Sequence, residues 1–178
     1  MTQDRNESLN DTGKAGLVLA AAAIVFFVIS ALLSKIEGGG FLVTLLGLVV
    51  WAGKVALCIW LMVKFLRQAA DNNGKERSRT FRFGMMVALC SAIVYAGFYL
   101  LYVTVIVPDF FEGAFDKALQ MYSSMMTSDQ LDQIANLESS MPAISFFVNL
   151  IWCWLFGTII SAIASSNICG SSNPFEEE

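Results

Sequence analysis

Four long apolar runs, separated by polar segments, dominate the pattern of residues along this chain. They cover residues 15–33, 41–63, 83–107 and 143–168. Each is close to or above the roughly 20 residues that an α-helix needs to cross a hydrocarbon core of about 30 Å. Because a helix satisfies its own backbone hydrogen bonds in lipid, the pattern predicts four transmembrane helices. The predicted fold is all-α, a bundle of four transmembrane helices.

The polar segment between the third and fourth runs has its own helical periodicity. Pro108 ends the third run, because proline has no backbone N–H to continue a helix. After it, the spacing of apolar residues predicts two amphipathic helices, over about 110–126 and 128–138. The second is expected to start at a capping box of Thr127 and Gln130. We expect the two to form a helical hairpin outside the membrane.

Both ends of the chain are polar. Residues 1–14 carry more acid than base, unlike the basic start of a signal peptide, so we expect the first run to be a retained helix. The composition of residues 169–178, with three terminal glutamates, predicts a disordered acidic tail. The predicted domains are an N-terminal tail (1–14), a membrane domain (15–168) and a C-terminal tail (169–178).

Composition supports a membrane protein and argues against an enzyme. The chain is 56% hydrophobic and 15% charged, against roughly 45–50% and 25% in soluble domains. It has no histidine, the commonest general base and metal ligand. Its four cysteines form no closely spaced pair. We therefore predict no catalytic residue, no cofactor and no metal site.

Basic residues lie mainly on one side of the predicted membrane. The other side has only Lys35 and Lys117. Because positively charged loops stay in the cytoplasm, we expect both termini to be cytoplasmic and the hairpin to be extracytoplasmic. The same rule explains the basic loop before the third run without a nucleic-acid partner. The residues on the basic side are Arg5, Lys14, Lys64, Arg67, Lys75, Arg77, Arg79 and Arg82.

One charged residue, Lys54, lies near the middle of the second run. A lysine at this depth costs roughly 2.5–3.5 kcal/mol on insertion scales, and such residues usually face the bundle interior. None of the four runs contains an aspartate or glutamate. Ser91 and Tyr95 on the third helix are the preferred hydrogen-bond partners, and Asn149 on the fourth is the weaker one. The candidate intramembrane polar site is Lys54, Ser91, Tyr95 and Asn149.

Three interpretations of Lys54 stay open at this point. It could fasten helices together or contact a partner subunit. It could extend its long side chain towards the membrane surface. It could also belong to a transport or ligand site, since charged residues inside membranes are often functional.

Small and polar residues recur at every fourth position of the fourth run. Shorter stripes of glycine and alanine occur in the first run (Gly16, Ala20, Ala23) and the third (Ala88, Ala92, Ala96). Small residues let membrane helices approach closely, so we expect these faces to pack together, with a substrate path as the alternative. The stripe of the fourth run is Ser145, Asn149, Cys153, Gly157, Ser161 and Ser165.

A set of residues from the third run to the fourth resembles a known family. They are Gly84, Ser91, Tyr95, Tyr102, the Pro108-Asp109-Phe110 sequence, the Ser128-Asp129-Gln130-Leu131 helix start, Gly157 and Ser161. With them the chain resembles, from Gly16 to Ile168, the domain of unknown function 4199 family, small four-helix membrane proteins of Bacteroidota. The resemblance implies the same topology, in a bacterial inner membrane, but no catalytic residue, and Lys54 matches none of the family's motifs. It also implies a polyprenyl-phosphate glycosyltransferase as a candidate partner, because members are often encoded beside one.

Three functions are consistent with these features. The leading hypothesis is a non-enzymatic accessory, anchoring or stabilising subunit for a membrane partner. The alternative is a small oligomeric transporter or channel that uses Lys54 and the stripe of the fourth helix. The third is a lipid-active enzyme, which would have to use the acidic residues between Asp109 and Asp116.

Overall fold

Four long helices make up most of the computed structural model, which describes residues 2–33, 40–72, 74, 76–111, 115–116 and 128–170. We name them α1 (Thr2–Leu33), α2 (Gly40–Asn72), α3 (Arg77–Leu101) and α4 (Ser128–Cys169). No strand occurs in the described part of the chain. All four helices are long and apolar enough to cross a membrane. The predicted all-α fold with four spans is confirmed.

The helices extend beyond the apolar runs that predicted them. α1 begins at Thr2, α2 continues to Asn72, and α3 begins at Arg77. Residues of the expected tail and of the expected basic loop are therefore helical. Hydropathy marks where apolar surface ends, whereas helical hydrogen bonding continues through polar residues that favour helices, such as Gln and Arg. Gly74, with a φ of 62°, lies in the short turn between α2 and α3.

The segment before the fourth span differs from the prediction. Residues 128–138 are helical, but they form one continuous helix with the fourth span instead of a separate arm of a hairpin. Pro142 lies inside this helix. A proline removes one backbone hydrogen bond, a loss that neighbouring groups often satisfy in membrane helices. Most of the other predicted amphipathic helix, 110–126, lies outside the described residues, as do residues 171–178 of the tail.

The third span ends at Pro108, where the sequence predicted a stop. α3 first loosens into a π-helix over Tyr102–Ile106, in which the Val107 N–H donates to the Tyr102 carbonyl at 2.9 Å. Pro108 then begins a short 3₁₀ turn that ends at Phe110. The missing N–H of proline prevents the α-helical ladder from continuing.

α3 is the central helix of the bundle. It packs most extensively against α4 and then against α1, and it also contacts α2. Contacts of α2 with α1 and with α4 complete the arrangement. The predicted alanine stripe of α3 (Ala88, Ala92, Ala96) is buried. Such small side chains allow the close helix approach that stabilises bundles in lipid.

Glycine makes the α3–α4 contact possible. A Cβ atom added to Gly84 of α3 would lie 2.6 Å from Ser161 Oγ, and one added to Gly157 of α4 would lie 2.5 Å from Ala88 Cβ. These distances are shorter than van der Waals contact between such atoms. The two helices are therefore as close as their backbones allow at these positions.

The contact between α1 and α3 has the same character. A Cβ atom added to Gly16 would lie 2.7 Å from Cys90 Cβ. Ala20 and Ala23, the other members of the α1 stripe, are buried. The small faces predicted for the first and third spans thus lie in helix contacts.

Candidate functional site

A cavity of about 280 Å³ lies inside the bundle, and all four helices line it. Its lining is mainly apolar, and the polar side chains at its wall include Lys54 of α2 with Ser91 and Tyr95 of α3. Lys54 is roughly 13 Å, at helical rise, from the nearer end of its apolar run. The cavity is therefore at mid-membrane depth.

Lys54 contacts Tyr95 in two ways. Its Nζ donates a hydrogen bond to Tyr95 Oη at 3.1 Å. The same nitrogen lies 4.5 Å from the centre of the Tyr95 ring, within the range of a cation–π interaction. Tyr95 is buried, whereas Lys54 is half-buried. The ammonium group is thus held at the wall of the cavity.

The other two residues of the predicted polar site lie differently. Ser91 lines the same cavity, one helical turn from Tyr95. Asn149 is not among the lining residues, and its Nδ2 donates to the backbone oxygen of Ser145 at 2.8 Å. The structure therefore brings together Lys54, Ser91 and Tyr95, while the Asn149 amide bonds within α4.

Aromatic contacts hold Tyr95 in position from the α1 side. The ring of Phe27 meets Tyr95 edge-to-face, with centroids 6.3 Å apart. Phe27 makes the same type of contact with Tyr99 at 5.6 Å and with Tyr102 at 5.0 Å. Edge-to-face pairs at these distances are favourable beyond their buried area. One phenylalanine of α1 thus fixes the aromatic face of α3 that carries the Lys54 partner.

The cavity opens sideways between α2 and α4. Two of its lining residues are large and strongly exposed: Trp51 of α2 is 63% exposed and Trp152 of α4 is 71% exposed. The α1 and α3 residues that line it, such as Ala23 and Ala88, are buried. In a membrane the exposed side of both tryptophans faces lipid or another protein, so the cavity is a lateral groove with two tryptophans at its mouth.

The predicted stripe of α4 changes role along its length. Cys153 and Gly157 line the groove. Ser161 and Ser165 are buried, and Ser161 Oγ donates to the Gly157 carbonyl at 2.7 Å. Because both serines are buried, neither hydroxyl faces an open path. The C-terminal part of the stripe, Ser161 and Ser165, therefore packs against α3. Its middle part, Cys153 and Gly157, lines the groove.

The described residues offer no cluster of three or more potential metal ligands. The four cysteines are free thiols in this structure, and two of them, Cys58 and Cys153, line the groove. Thiol side chains at this depth behave as small apolar groups. The polar contact within the groove is therefore the one between Lys54 and Tyr95.

Sequence reasoning identified Cys153 and Gly157 on the α4 side of the groove but missed Trp152. By their helical spacing Trp51, Lys54 and Cys58 share one face of α2, and all three line the groove. Trp51 is nevertheless largely exposed. Trp152 had no signal of its own, because the rotation of α4 against α2 decides whether it lies at the mouth.

The fold and the groove define a multi-pass integral membrane protein built as a four-helix bundle. Residues 14–166 match the model of the family described as protein of unknown function DUF4199, and the chain belongs to that family. The matched range covers nearly all of the four spans. A comparison with curated proteins found no match, and a comparison with solved structures found none either.

Proposed function

We propose that this protein is a non-enzymatic accessory subunit of the bacterial inner membrane, which anchors or stabilises a membrane protein partner at the groove between α2 and α4. The observation that carries the proposal is the pair of exposed tryptophans at the mouth of a cavity that contains a lysine. Trp51 and Trp152 are 63% and 71% exposed. Large exposed aromatic residues around a pocket are typical anchors of protein interfaces.

The charge of Lys54 supports a protein partner over a purely lipid environment. A charged residue at mid-membrane is costly when it faces lipid and is usually paired inside a protein assembly. The partner considered from the family resemblance, a polyprenyl-phosphate glycosyltransferase, is one candidate. The proposal also places both termini in the cytoplasm, because the distribution of basic residues supports this orientation.

Matched tryptophan substitutions test the proposal. Trp51→Ala and Trp152→Ala remove the groove anchors, and affinity purification in mild detergent should then recover less of a partner that is stoichiometric with the wild-type chain. Trp60 and Trp154 are the controls. At about 100° per residue they point away from Trp51 and Trp152 on the same two helices, and they are 58% and 36% exposed.

Equal loss of the partner in groove and control variants would argue against the groove. A wild-type chain that purifies repeatedly as a monomer or a homo-oligomer would contradict the accessory role itself.

A transporter is the second candidate, and the position of the cavity favours it. Solute sites of transporters lie near the bilayer midplane, as this cavity does. The close contact of Gly157 with Ala88 beside the cavity argues against a continuous path within one chain. Flux through proteoliposomes that Lys54→Met abolishes would support transport over the accessory role.

A further inference from the structure

The charge of Lys54 has no counter-ion among the described residues, and this limits which kinds of partner the groove could bind. Among the described residues Lys54 contacts the side chain of Tyr95, through a hydrogen bond and the ring, and makes no salt bridge. The sequence has no aspartate or glutamate in any of the four apolar runs. A counter-ion at this depth must therefore come from outside the chain.

We infer that the groove between α2 and α4 binds a transmembrane helix of another protein that carries an aspartate or glutamate at mid-membrane, whose carboxylate pairs with Lys54. This inference rests on the proposed function and names the chemistry of its partner. Paired opposite charges are the usual arrangement for ionisable residues within membranes. The carboxylate would complete a site in which Tyr95 already fixes the ammonium group.

Two other occupants fit the groove less well. A second copy of this chain supplies only the same four apolar runs, none of which contains an aspartate or glutamate. A phospholipid carries its negative charge at the membrane surface, roughly 13 Å from the depth of Lys54 at helical rise. An acyl chain could fill the apolar part of the groove but offers no charge to the lysine.

The positions of the two exposed tryptophans support a helix as the occupant of the groove. Trp51 lies on α2 and Trp152 on α4, both line the cavity, and both are largely exposed, so their rings offer apolar surface to an occupant. An incoming helix would pack between these rings and bring one side chain to Lys54. The groove reaches mid-membrane depth, where a helix needs a buried polar partner for any acid it carries.

Model peptides in vesicles test the charge recognition directly. The full chain is labelled with a fluorescence donor and reconstituted in phosphatidylcholine vesicles with an acceptor-labelled Leu-Ala transmembrane peptide. The peptide carries one central glutamate, or one central glutamine as its match. We expect the glutamate peptide to bind roughly tenfold more tightly than the glutamine peptide, as for other desolvated charge pairs.

Substitutions in the chain separate the groove lysine from general charge attraction. Lys54→Met should abolish the preference for glutamate. Lys64→Met is the control, because Lys64 is exposed on the same helix and its Nζ lies 5.4 Å from the centre of the Trp60 ring. This variant should keep the preference. Equal binding of the two peptides to the wild-type chain overturns the inference, and so does a preference that persists in Lys54→Met.

A crosslink in native membranes covers the case in which Lys54→Met fails to fold. A photo-crosslinking amino acid replaces Trp152 in the full chain, and mass spectrometry identifies the adduct. The inference expects a helix of another protein with an acid near its middle. An adduct on lipid, on a second copy or on an acid-free helix overturns it.

The two proposals fail in different ways. A stoichiometric partner whose crosslinked helix lacks an acid leaves the accessory role standing and removes the charge pairing. Absence of any stoichiometric partner removes both.

Discussion

At the scale of single residues, the contact between Lys54 and Tyr95 combines a hydrogen bond with a contact to the ring face. The Tyr95 hydroxyl accepts from Nζ at 3.1 Å, and the centre of the ring lies 4.5 Å from the same nitrogen. Phe27 packs edge-to-face on that ring. A phenylalanine at position 95 would keep both ring contacts and remove only the hydroxyl, so the two parts of the interaction are separable.

We predict that Tyr95→Phe lowers the free energy of unfolding by roughly 0.6–2 kcal/mol, the range found for hydrogen bonds between membrane helices. In a Lys54→Met background the same substitution should have little effect, because the donor is gone. Unfolding in mixed detergent micelles, arranged as a double-mutant cycle, measures this coupling. A cost of Tyr95→Phe that is the same with and without Lys54 would contradict the contact.

Lys54→Met alone should stabilise the isolated chain. The substitution loses the Tyr95 bond, but it also removes the cost of a lysine at mid-membrane, roughly 2.5–3.5 kcal/mol on insertion scales. The same unfolding assay on the purified chain checks the sign. A strongly destabilised Lys54→Met variant would indicate that the lysine is well satisfied within its own chain and needs no carboxylate.

The sequence predicted part of this site. Hydropathy shows Lys54 as a charged residue within an apolar run. Helical rise gives its depth in the membrane, and its partner on α3 was predictable because it lies at a similar depth. The groove does not follow, because its width depends on how far α2 and α4 rotate and separate. Trp152 is an example. It lies in the same apolar run as Trp154, two residues later, and the sequence does not indicate which of the two lies at the mouth of the groove.

At the scale of helices, close packing through small residues positions the groove. α3 contacts α4 at Gly84 and Gly157, and it contacts α1 at Gly16. These close contacts hold α3 in the centre, while α2 and α4 are left to flank the opening. The stripes were predictable because their four-residue spacing is a property of sequence. The helix ends were not, because helices continue past the apolar surface, and Pro142 is accommodated inside α4.

Gly84→Ala should lower the free energy of unfolding by roughly 1–3 kcal/mol, the usual cost of overpacking. The added Cβ would lie 2.6 Å from Ser161 Oγ and 2.8 Å from Ser161 Cβ, so α3 and α4 would have to separate. Gly97→Ala on the same helix is the matched control, since nothing lies within 4 Å of its added Cβ.

The control should be neutral or stabilising by up to about 1 kcal/mol, because alanine favours the helix over glycine. Thermal unfolding of both variants in one detergent compares them. Equal effects of the two substitutions would mean that α3 and α4 are not in close contact at Gly84.

At the scale of the whole molecule, the distribution of charge predicts how the bundle sits in the membrane. Arg77, Arg79 and Arg82 lie in the first turns of α3, and Lys64 and Arg67 lie in the later part of α2. The other ends of these two helices have few basic residues. Because basic residues near helix ends resist translocation, the end of the bundle that contains Gly74 is expected in the cytoplasm.

Reporter fusions to truncated chains test this orientation. Green fluorescent protein fused after Gly74 should fluoresce, because it matures in the cytoplasm, and alkaline phosphatase fused there should be inactive. Fusions after Phe111, beyond the third span, should give the reverse pattern. Replacing Arg77, Arg79 and Arg82 with glutamine should make the signals of the fusions after Phe111 less distinct, because these charges determine the direction of insertion. Active phosphatase after Gly74 in the wild-type sequence would contradict this orientation, because it would place the turn around Gly74 outside the cytoplasm.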